Sequence, residues 1–207
     1  VKKLKANDFT ISAPEGVSSV KAKVIGVIEN QAPTKSLEFD LPVEEGNVQI
    51  TEGVAYLSLV ERHRGTGSVT NGFVSGFGYT GSMAIASSVA HDSHHIIVVG
   101  TDRKLMAAAA NRLGEVGGGV TLWKDDAERA LVELPIAGLM SDSQAAEVAN
   151  KAQAIISSMI DCGCSLNNAY MQHTLLALVV IPELRISDLG LVDVSRFELT
   201  EVISPES

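Results

Sequence analysis

The stretch IIVVGTDRKLMAAAANRLGEVGGG (96–119) joins a short β-branched run to a long helical pattern. The run at 96–99 predicts a buried strand. From Thr101 or Asp102 onwards, apolar residues recur at helical spacing, at Leu105, Ala109, Leu113 and Val116. Three consecutive glycines then end the pattern, as is typical of a helix C-terminus. The stretch therefore predicts a strand followed by an amphipathic helix.

A second amphipathic helix and several strands are predicted downstream. Ser141 and Gln144 have the spacing of a capping box. Before Gly163, one helix face carries an apolar stripe of Ala145, Val148, Ala152, Ile155 and Met159. Between the two helices, 120–124 and 129–134 predict a hairpin around Asp125-Asp126. Two more strands are predicted at LLALVVI (175–181) and FELTEVI (197–203).

The residues upstream of position 96 favour β-structure. Alternating or continuous apolar runs predict strands at 18–28, 35–43, 55–61, 72–77 and 83–89. Strands outnumber helices, which predicts an α+β fold with mixed, largely antiparallel β-sheet layers covered by two main amphipathic helices. We expect two regions, a β-rich segment over residues 1–50 that packs on the rest and an α+β domain over residues 51–207.

Composition excludes several functional classes. The chain has 207 residues and a net charge of −9, with 16 basic and 25 acidic residues. The basic residues are scattered, which argues against a nucleic-acid partner. The apolar runs are too short to span a bilayer, so no membrane partner is expected. Cys162 and Cys164 are one residue apart, a spacing that rarely closes into a disulfide, and this favours a cytoplasmic protein.

The segment HDSHH concentrates titratable groups. It contains His91, Asp92, Ser93, His94 and His95, three of the five histidines of the chain. In an extended chain the side chains would alternate between two faces, so the imidazoles could not converge. A turn at the Asp-Ser pair would instead bring the first histidine toward the second.

Three interpretations of this segment remain open on the residues alone. It could bind a metal through His91, Asp92 and either His94 or His95, with His63 as a distant ligand. It could act as a general acid and base, because an imidazole beside a carboxylate suits proton transfer. It could also be a hydrogen-bonded turn.

The segment ERHR (61–64) follows an apolar strand and precedes a glycine-rich stretch. It could hold an anion or an acidic partner, or it could be a solvated strand end. The glycines of 65–81 match no phosphate-binding motif.

Three longer stretches resemble a known family. They are VERHRGTGSVTNGFVSGFGYTGSMAIASSVAHDSHHIIVVGTD (60–102), GGGVTLWKDDAERALVELPIAGLMSD (117–142) and IPELRISDLGLVDV (181–194). Together they resemble the C-terminal region of bacterial and archaeal adenine deaminases of the amidohydrolase superfamily, over about Val54 to Val194.

This resemblance implies hydrolysis of adenine to hypoxanthine and ammonia in purine salvage and adenine catabolism. In that family a metal-activated hydroxide attacks the purine C6, and manganese or iron is held by a (β/α)-barrel that precedes this region. We therefore expect no metal or cofactor in this chain, and no activity from it alone. The expected partners are adenine or a related purine, the upstream barrel domain, and further copies in a homo-oligomer.

The resemblance also implies roles for individual residues. The family motif is HDSHN, so the first four residues of HDSHH carry over while position 95 departs from the pattern. His91, Asp92 and His94 are predicted to be catalytic residues lining the active site. Substrate contacts are predicted at Ser93, His95, Arg62 and His63.

Three alternatives accompany this reading. The domain could be a non-catalytic module for oligomerisation. It could belong to a deaminase of a related purine, because residues 160–175 depart most from the family pattern. It could also be a small hydrolase with its own metal bound by His91, His94 and His63.

Overall fold

The computed structural model describes residues 2–204 and contains twelve strands and three α-helices. The strands are β1 (Ser19–Val27), β2 (Thr34–Glu44), β3 (Asn47–Val48), β4 (Val54–Val60), β5 (Val69–Ser75), β6 (Met83–Ser87), β7 (Ile96–Gly100), β8 (Gly119–Lys124), β9 (Ala127–Glu133), β10 (Leu184–Ser187), β11 (Gly190–Asp193) and β12 (Glu198–Thr200). The helices are α1 (Arg103–Val116), α2 (Ala145–Asp161) and α3 (Ala169–Leu175), and a 3₁₀ turn spans Ala6–Phe9.

Nine strands form the main sheet, in the order β3-β2-β1-β5-β4-β7-β6-β8-β9. Neighbouring strands are antiparallel except β1 and β5, which pair in parallel at Ile25/Val74 and Gly26/Ser75. A second, antiparallel sheet has the order β10-β11-β12. The predicted α+β class with a mixed, largely antiparallel sheet is confirmed. The first 50 residues supply β1, β2 and β3 to the main sheet.

Both faces of the main sheet are covered. Leu57 of β4 and Ile97 of β7 pack in one core with α2, α3 and the small sheet, while Tyr56 and Val98 pack in a second core with α1. Successive strand residues point to opposite faces, so every residue of β4 is buried. The long apolar runs of the central strands reflect this two-sided burial.

Local signals account for α1. The Asp102 carboxylate caps the helix by accepting hydrogen bonds from the backbone N–H groups of Lys104 and Leu105, at 2.7 and 3.3 Å. At the other end Gly117 adopts a left-handed conformation with φ 85°, which favours glycine. The predicted start and end of this helix are confirmed.

The hairpin of β8 and β9 is also confirmed. Asp125 and Asp126 form its turn, with φ of 50° and 61°, and both are exposed. Lys124 beside this turn pairs with Met83 at the start of β6, whereas Val120 pairs with Ser87 at its end. The turn therefore lies at the end of the sheet opposite to Ser87.

The predicted start of the second helix needs a correction. The helix begins at Ala145, and Gln144 is its N-cap without a side-chain cap bond. Ser141 instead accepts a hydrogen bond from the Ser143 N–H at 3.2 Å, in a local turn ahead of the helix. The predicted capping box is wrong because the serine satisfies this closer donor.

The predicted strand at 175–181 is also wrong. Leu175 ends α3 and the following residues form turns, with Leu176 and Ala177 buried. The guanidinium of buried Arg185 donates to the carbonyls of Leu175 and Ile181 and so fixes this turn. Only part of the apolar run is buried, because Val179 and Val180 are exposed at the end of the turn.

The predicted strand at 197–203 is shorter in the structure, at Glu198–Thr200. After it, the Val202 carbonyl accepts from Lys23 N–H and Ser204 N–H donates to the Lys21 carbonyl, so the chain lies against β1. Strands β10 and β11 and helix α3 were not predicted.

The two cysteines carry free, buried thiols, and burial raises the pKa of both. None of the helices in the described part of the chain combines the length and apolar character needed to cross a membrane.

Candidate functional site

The predicted polar residues meet at one end of the main sheet. Val60, the last residue of β4, pairs with Ile96, the first residue of β7. The segment after β4 carries Arg62 and His63, and the HDSHH segment immediately precedes β7. Because β4 and β7 are neighbours, these two segments lie side by side.

The connection from β6 to β7 contains a tight turn, here called the histidine turn (Ala90–His95). The His94 N–H donates to the Ala90 carbonyl at 2.7 Å, and His94 has a positive φ of 52°. The rings of His91 and His94 lie edge to face with centroids 5.2 Å apart. The prediction that a turn brings these two imidazoles together is confirmed.

Hydrogen bonding defines the tautomer of His94. Its Nδ1 accepts the Ala90 N–H at 3.2 Å, so the neutral ring carries its proton on Nε2. Partial burial lowers the pKa of His94, and nearby His91 and Arg62 lower it further. At neutral pH this ring is thus a neutral hydrogen-bond donor.

Three side chains of the histidine turn are available for a ligand. Asp92 and Ser93 are exposed and His91 is half-buried. Within residues 2–204 none of their side chains makes a hydrogen bond; the His91 backbone N–H donates to the Thr174 carbonyl at 3.1 Å. A carboxylate, a hydroxyl and an imidazole without hydrogen bonds to the described residues therefore share one turn with the His94 Nε2–H, a set of groups that can bind a polar ligand and move a proton.

Arg62 supports the turn from behind. Its Nε donates to the His94 carbonyl at 2.5 Å, and its Nη2 donates to the Ala137 carbonyl at 2.8 Å. A Cβ on Gly138 would lie 2.9 Å from the guanidinium, so the glycine permits this close approach. Two carbonyls thus hold Arg62, which was predicted to contact substrate.

His63 and His95 also lie behind the turn. Their ring centroids are 4.7 Å apart, and His63 Nε2 donates to the Ser93 carbonyl at 2.6 Å. His95 is buried; its Nδ1 accepts the Arg62 N–H at 3.4 Å, and its Nε2 lies 3.7 Å from Asp188 Oδ2. Burial lowers the pKa of His95 against the opposing effect of Asp188. Both rings contribute hydrogen bonds within the protein.

The carboxylate of Glu61 organises the segment that follows β4. It accepts the Arg64 N–H at 2.6 Å, and the Thr66 N–H and Oγ1 at 3.0 and 2.8 Å. Burial would raise the pKa of Glu61, but these donors lower it to about 2. An open cleft of about 360 Å³ lies beside this segment and is also bounded by His63, His95 and Asp188.

In residues 2–204, the side chains around HDSHH do not form a set of metal ligands. Across residues 2–204, no group of three or more histidine, cysteine, aspartate or glutamate side chains is arranged to hold a metal ion. His63 Nε2 and His94 Nδ1 already form hydrogen bonds with backbone groups. In the described residues the side chains of His91, His94 and His63 are therefore not arranged as a three-ligand metal site.

Sequence reasoning missed several supporting residues. Buried Ser88 donates to the Gly138 carbonyl at 2.6 Å and accepts the Gly119 N–H at 2.7 Å, which joins three loops. Asp188 and Thr174 reach the site from the C-terminal third of the chain. The glycines at 117–119 and at Gly138 indicated part of this network, because close backbone approach is one reason for glycine. No local sequence pattern marks the other contacts.

Comparison with known proteins agrees with the sequence resemblance. The family described as adenine deaminase C-terminal domain matches residues 31–198. An adenine deaminase of Roseobacter denitrificans is 72% identical over 202 residues, which cover 98% of this chain and 34% of the relative. One of Ruegeria pomeroyi is 68% identical over 205 residues, with coverage of 98% and 34%. A more distant adenine deaminase, of Moorella thermoacetica, is 43% identical over 200 residues, with coverage of 95% and 33%. The chain spans about a third of the length of these curated relatives.

Proposed function

This chain belongs to the adenine deaminase C-terminal domain family, and on that premise we propose that it is the C-terminal part of a cytoplasmic hydrolase that converts adenine and water into hypoxanthine and ammonia in purine salvage. The observation that carries the proposal is similarity to proteins named adenine deaminase over 95–98% of the chain. The proposal also assigns the remaining two-thirds of the polypeptide to an upstream domain.

The proposed division of labour follows from the chemistry of the described residues. Their donor groups do not fit a metal ion, so no metal-dependent step is assigned to them. Manganese or iron, which the resemblance implies, would be held by the upstream domain and would activate the attacking water there. The histidine turn would close that domain's active site from the side of this chain.

Each free group of the turn suits one part of adenine. The His94 Nε2–H can donate to a purine ring nitrogen, which is an acceptor. The Asp92 carboxylate can accept a hydrogen bond from the exocyclic amine. The Ser93 hydroxyl can donate a hydrogen bond to a ring nitrogen or accept one from the amine. These contacts would orient the C6 position toward the attacking water.

His91 is the group that we assign to proton movement. Deamination adds a hydroxyl oxygen to C6 and expels the amino group, which must gain a proton to leave as ammonia. The His91 imidazole is half-buried and makes no hydrogen bond to the described residues, so it is free to take part in proton transfer. Its edge-to-face partner His94 holds its own proton and does not compete for this role.

The test is an ammonia-release assay on adenine with the full-length polypeptide, compared with guanine and adenosine. We expect His91→Ala, Asp92→Asn and His94→Ala each to lower kcat/KM for adenine by about 10²-fold or more. Asp126→Asn is the matched control for Asp92→Asn, because both aspartates are exposed in tight turns at opposite ends of the sheet. Full activity in the His91 and His94 variants would refute the role of the turn, and a preference for guanine or adenosine would refute the assignment of substrate.

A further inference from the structure

One exposed apolar segment lies next to the histidine turn. The loop after β9, here called the apolar turn (Pro135–Met140), exposes 46% of Ile136, 36% of Leu139 and 56% of Met140. Large apolar side chains grouped on a surface mark an interaction site more often than scattered ones do. The proposed contacts with adenine do not use this segment.

The apolar turn has a fixed shape. The Ile136 N–H donates to the Met140 carbonyl at 3.1 Å, and the N–H groups of Leu139 and Met140 both donate back to the Ile136 carbonyl at 3.0 and 3.1 Å. Positive φ values of 58° at Ala137 and 75° at Gly138 complete the turn. The backbone that carries the three side chains is thus ordered before any partner binds, which lowers the entropic cost of association.

The same turn is tied to the candidate site. Ser88, just ahead of the histidine turn, donates to the Gly138 carbonyl at 2.6 Å. Arg62 donates with one nitrogen to the Ala137 carbonyl and with another to the His94 carbonyl. A partner that packs on the apolar turn would therefore contact a surface that shares an arginine with the histidine turn.

We infer that the apolar turn is the docking surface for the upstream catalytic domain of the same polypeptide, with Ile136, Leu139 and Met140 buried against it. The inference rests on the proposed function, which places that domain over the histidine turn. Two observations favour this occupant over others: about two-thirds of each relative's length lies outside the matched region, and the apolar turn lies at the same end of the sheet as the histidine turn. The fully buried core of a protein interface is more apolar than its rim, and methionine is enriched at such interfaces.

The test measures the accessibility of an introduced thiol in the full-length polypeptide. Met140→Cys and Leu139→Cys place a thiol on the apolar turn, and Asp126→Cys places one at the opposite end of the sheet as the control. Cys162 and Cys164 are buried, so labelling of these native thiols reports unfolding. The labelling of the unsubstituted polypeptide is subtracted.

We expect the thiols of the Met140→Cys and Leu139→Cys variants to react at least about 10-fold more slowly than that of Asp126→Cys, at every protein concentration. Equal rates would overturn the inference. Slow labelling that becomes fast on dilution would assign the surface to a second copy and would also overturn it.

The assay does not depend on catalysis, which separates the two proposals. A protected turn in a polypeptide that does not deaminate adenine would contradict the proposed function alone. An active adenine deaminase with a freely reactive turn would contradict the docking inference alone.

Discussion

Replacing Arg62 with alanine should loosen the histidine turn at a measurable cost in stability. The guanidinium donates to the carbonyls of His94 and Ala137, and it fills the space above Gly138. Hydrogen bonds from charged donors contribute about 1.5–3 kcal/mol each, and half-burial of this side chain puts both at or below the lower value. We expect the free energy of unfolding to fall by about 2–3 kcal/mol, a large part of the roughly 5–15 kcal/mol typical of a domain.

The assay is urea unfolding of the 207-residue chain, followed by fluorescence and circular dichroism to check that the two transitions coincide. Arg64→Ala is the matched control, because the exposed Arg64 side chain makes no hydrogen bond or ion pair within the described residues; its effect should stay within about 0.5 kcal/mol. Arg62→Lys should recover less than half of the loss, since an ammonium lacks the planar fork that reaches both carbonyls.

The same substitution should affect activity more than stability explains. In the full-length polypeptide, at temperatures where both proteins are folded, Arg62→Ala should lower kcat/KM for adenine by about 10-fold or more, because the His94 carbonyl loses its support. The reasoning is refuted if the Arg62→Ala and Arg64→Ala chains unfold with free energies within about 0.5 kcal/mol of each other.

Three further predictions concern His173, Glu61 and Gly118. Burial lowers the pKa of His173 from 6.5 to about 4, so the folded chain favours the neutral ring. The free energy of unfolding should therefore be unaffected by this residue above about pH 6.5 and should fall by about 3 kcal/mol as the pH drops to 4. In urea titrations at several pH values, His173→Leu should reduce this fall. Glu61→Gln should cost about 1–3 kcal/mol in the same assay, since a neutral amide has one acceptor oxygen for the three donors of Arg64 and Thr66. Gly118→Ala should cost more than about 3 kcal/mol in thermal unfolding, because its Cβ would lie 2.4 Å from a backbone carbon of the apolar turn at a φ of +122°.

Controls for these predictions come from exposed positions. Glu15→Gln should leave stability within about 0.5 kcal/mol, and Gly16→Ala should cost only about 1–2 kcal/mol, because its positive φ is the sole obstacle in an open space. If the free energy of unfolding still falls at acid pH in the His173→Leu variant, the fall belongs to other titratable groups. A Glu61→Gln chain as stable as the parent would contradict the anchoring role of the carboxylate.

Sequence patterns predicted the elements whose signals are local. Helix α1 starts at a capping aspartate and ends at a left-handed glycine, and both lie within the helix or next to it. The β8–β9 hairpin has two aspartates in its turn for the same local reason. Distant contacts overrode the pattern at 175–181, where Arg185 joins the carbonyls of Leu175 and Ile181 to that of Ala32.

The candidate site shows the same limit. The spacing of HDSHH indicated the turn that brings His91 and His94 together, because only neighbouring residues are involved. The supports of the turn depend on pairs far apart in the chain, such as Arg62 with Ala137 and His95 with Asp188. Such pairs are set by the order of strands in the sheet, which one sequence does not reveal.

The parallel junction between β1 and β5 has a consequence for the order of folding. Ile25 and Val74 meet there across nearly fifty residues, and only two residue pairs form the junction, whereas the β1–β2 and β4–β5 pairs are hairpins between consecutive strands. Long loops are costly to close before other contacts form. The first hairpin should therefore attach late to a sheet nucleated around β4, and pulsed hydrogen exchange during refolding should protect the amides of β4 and β5 before the β1 amides that face β5.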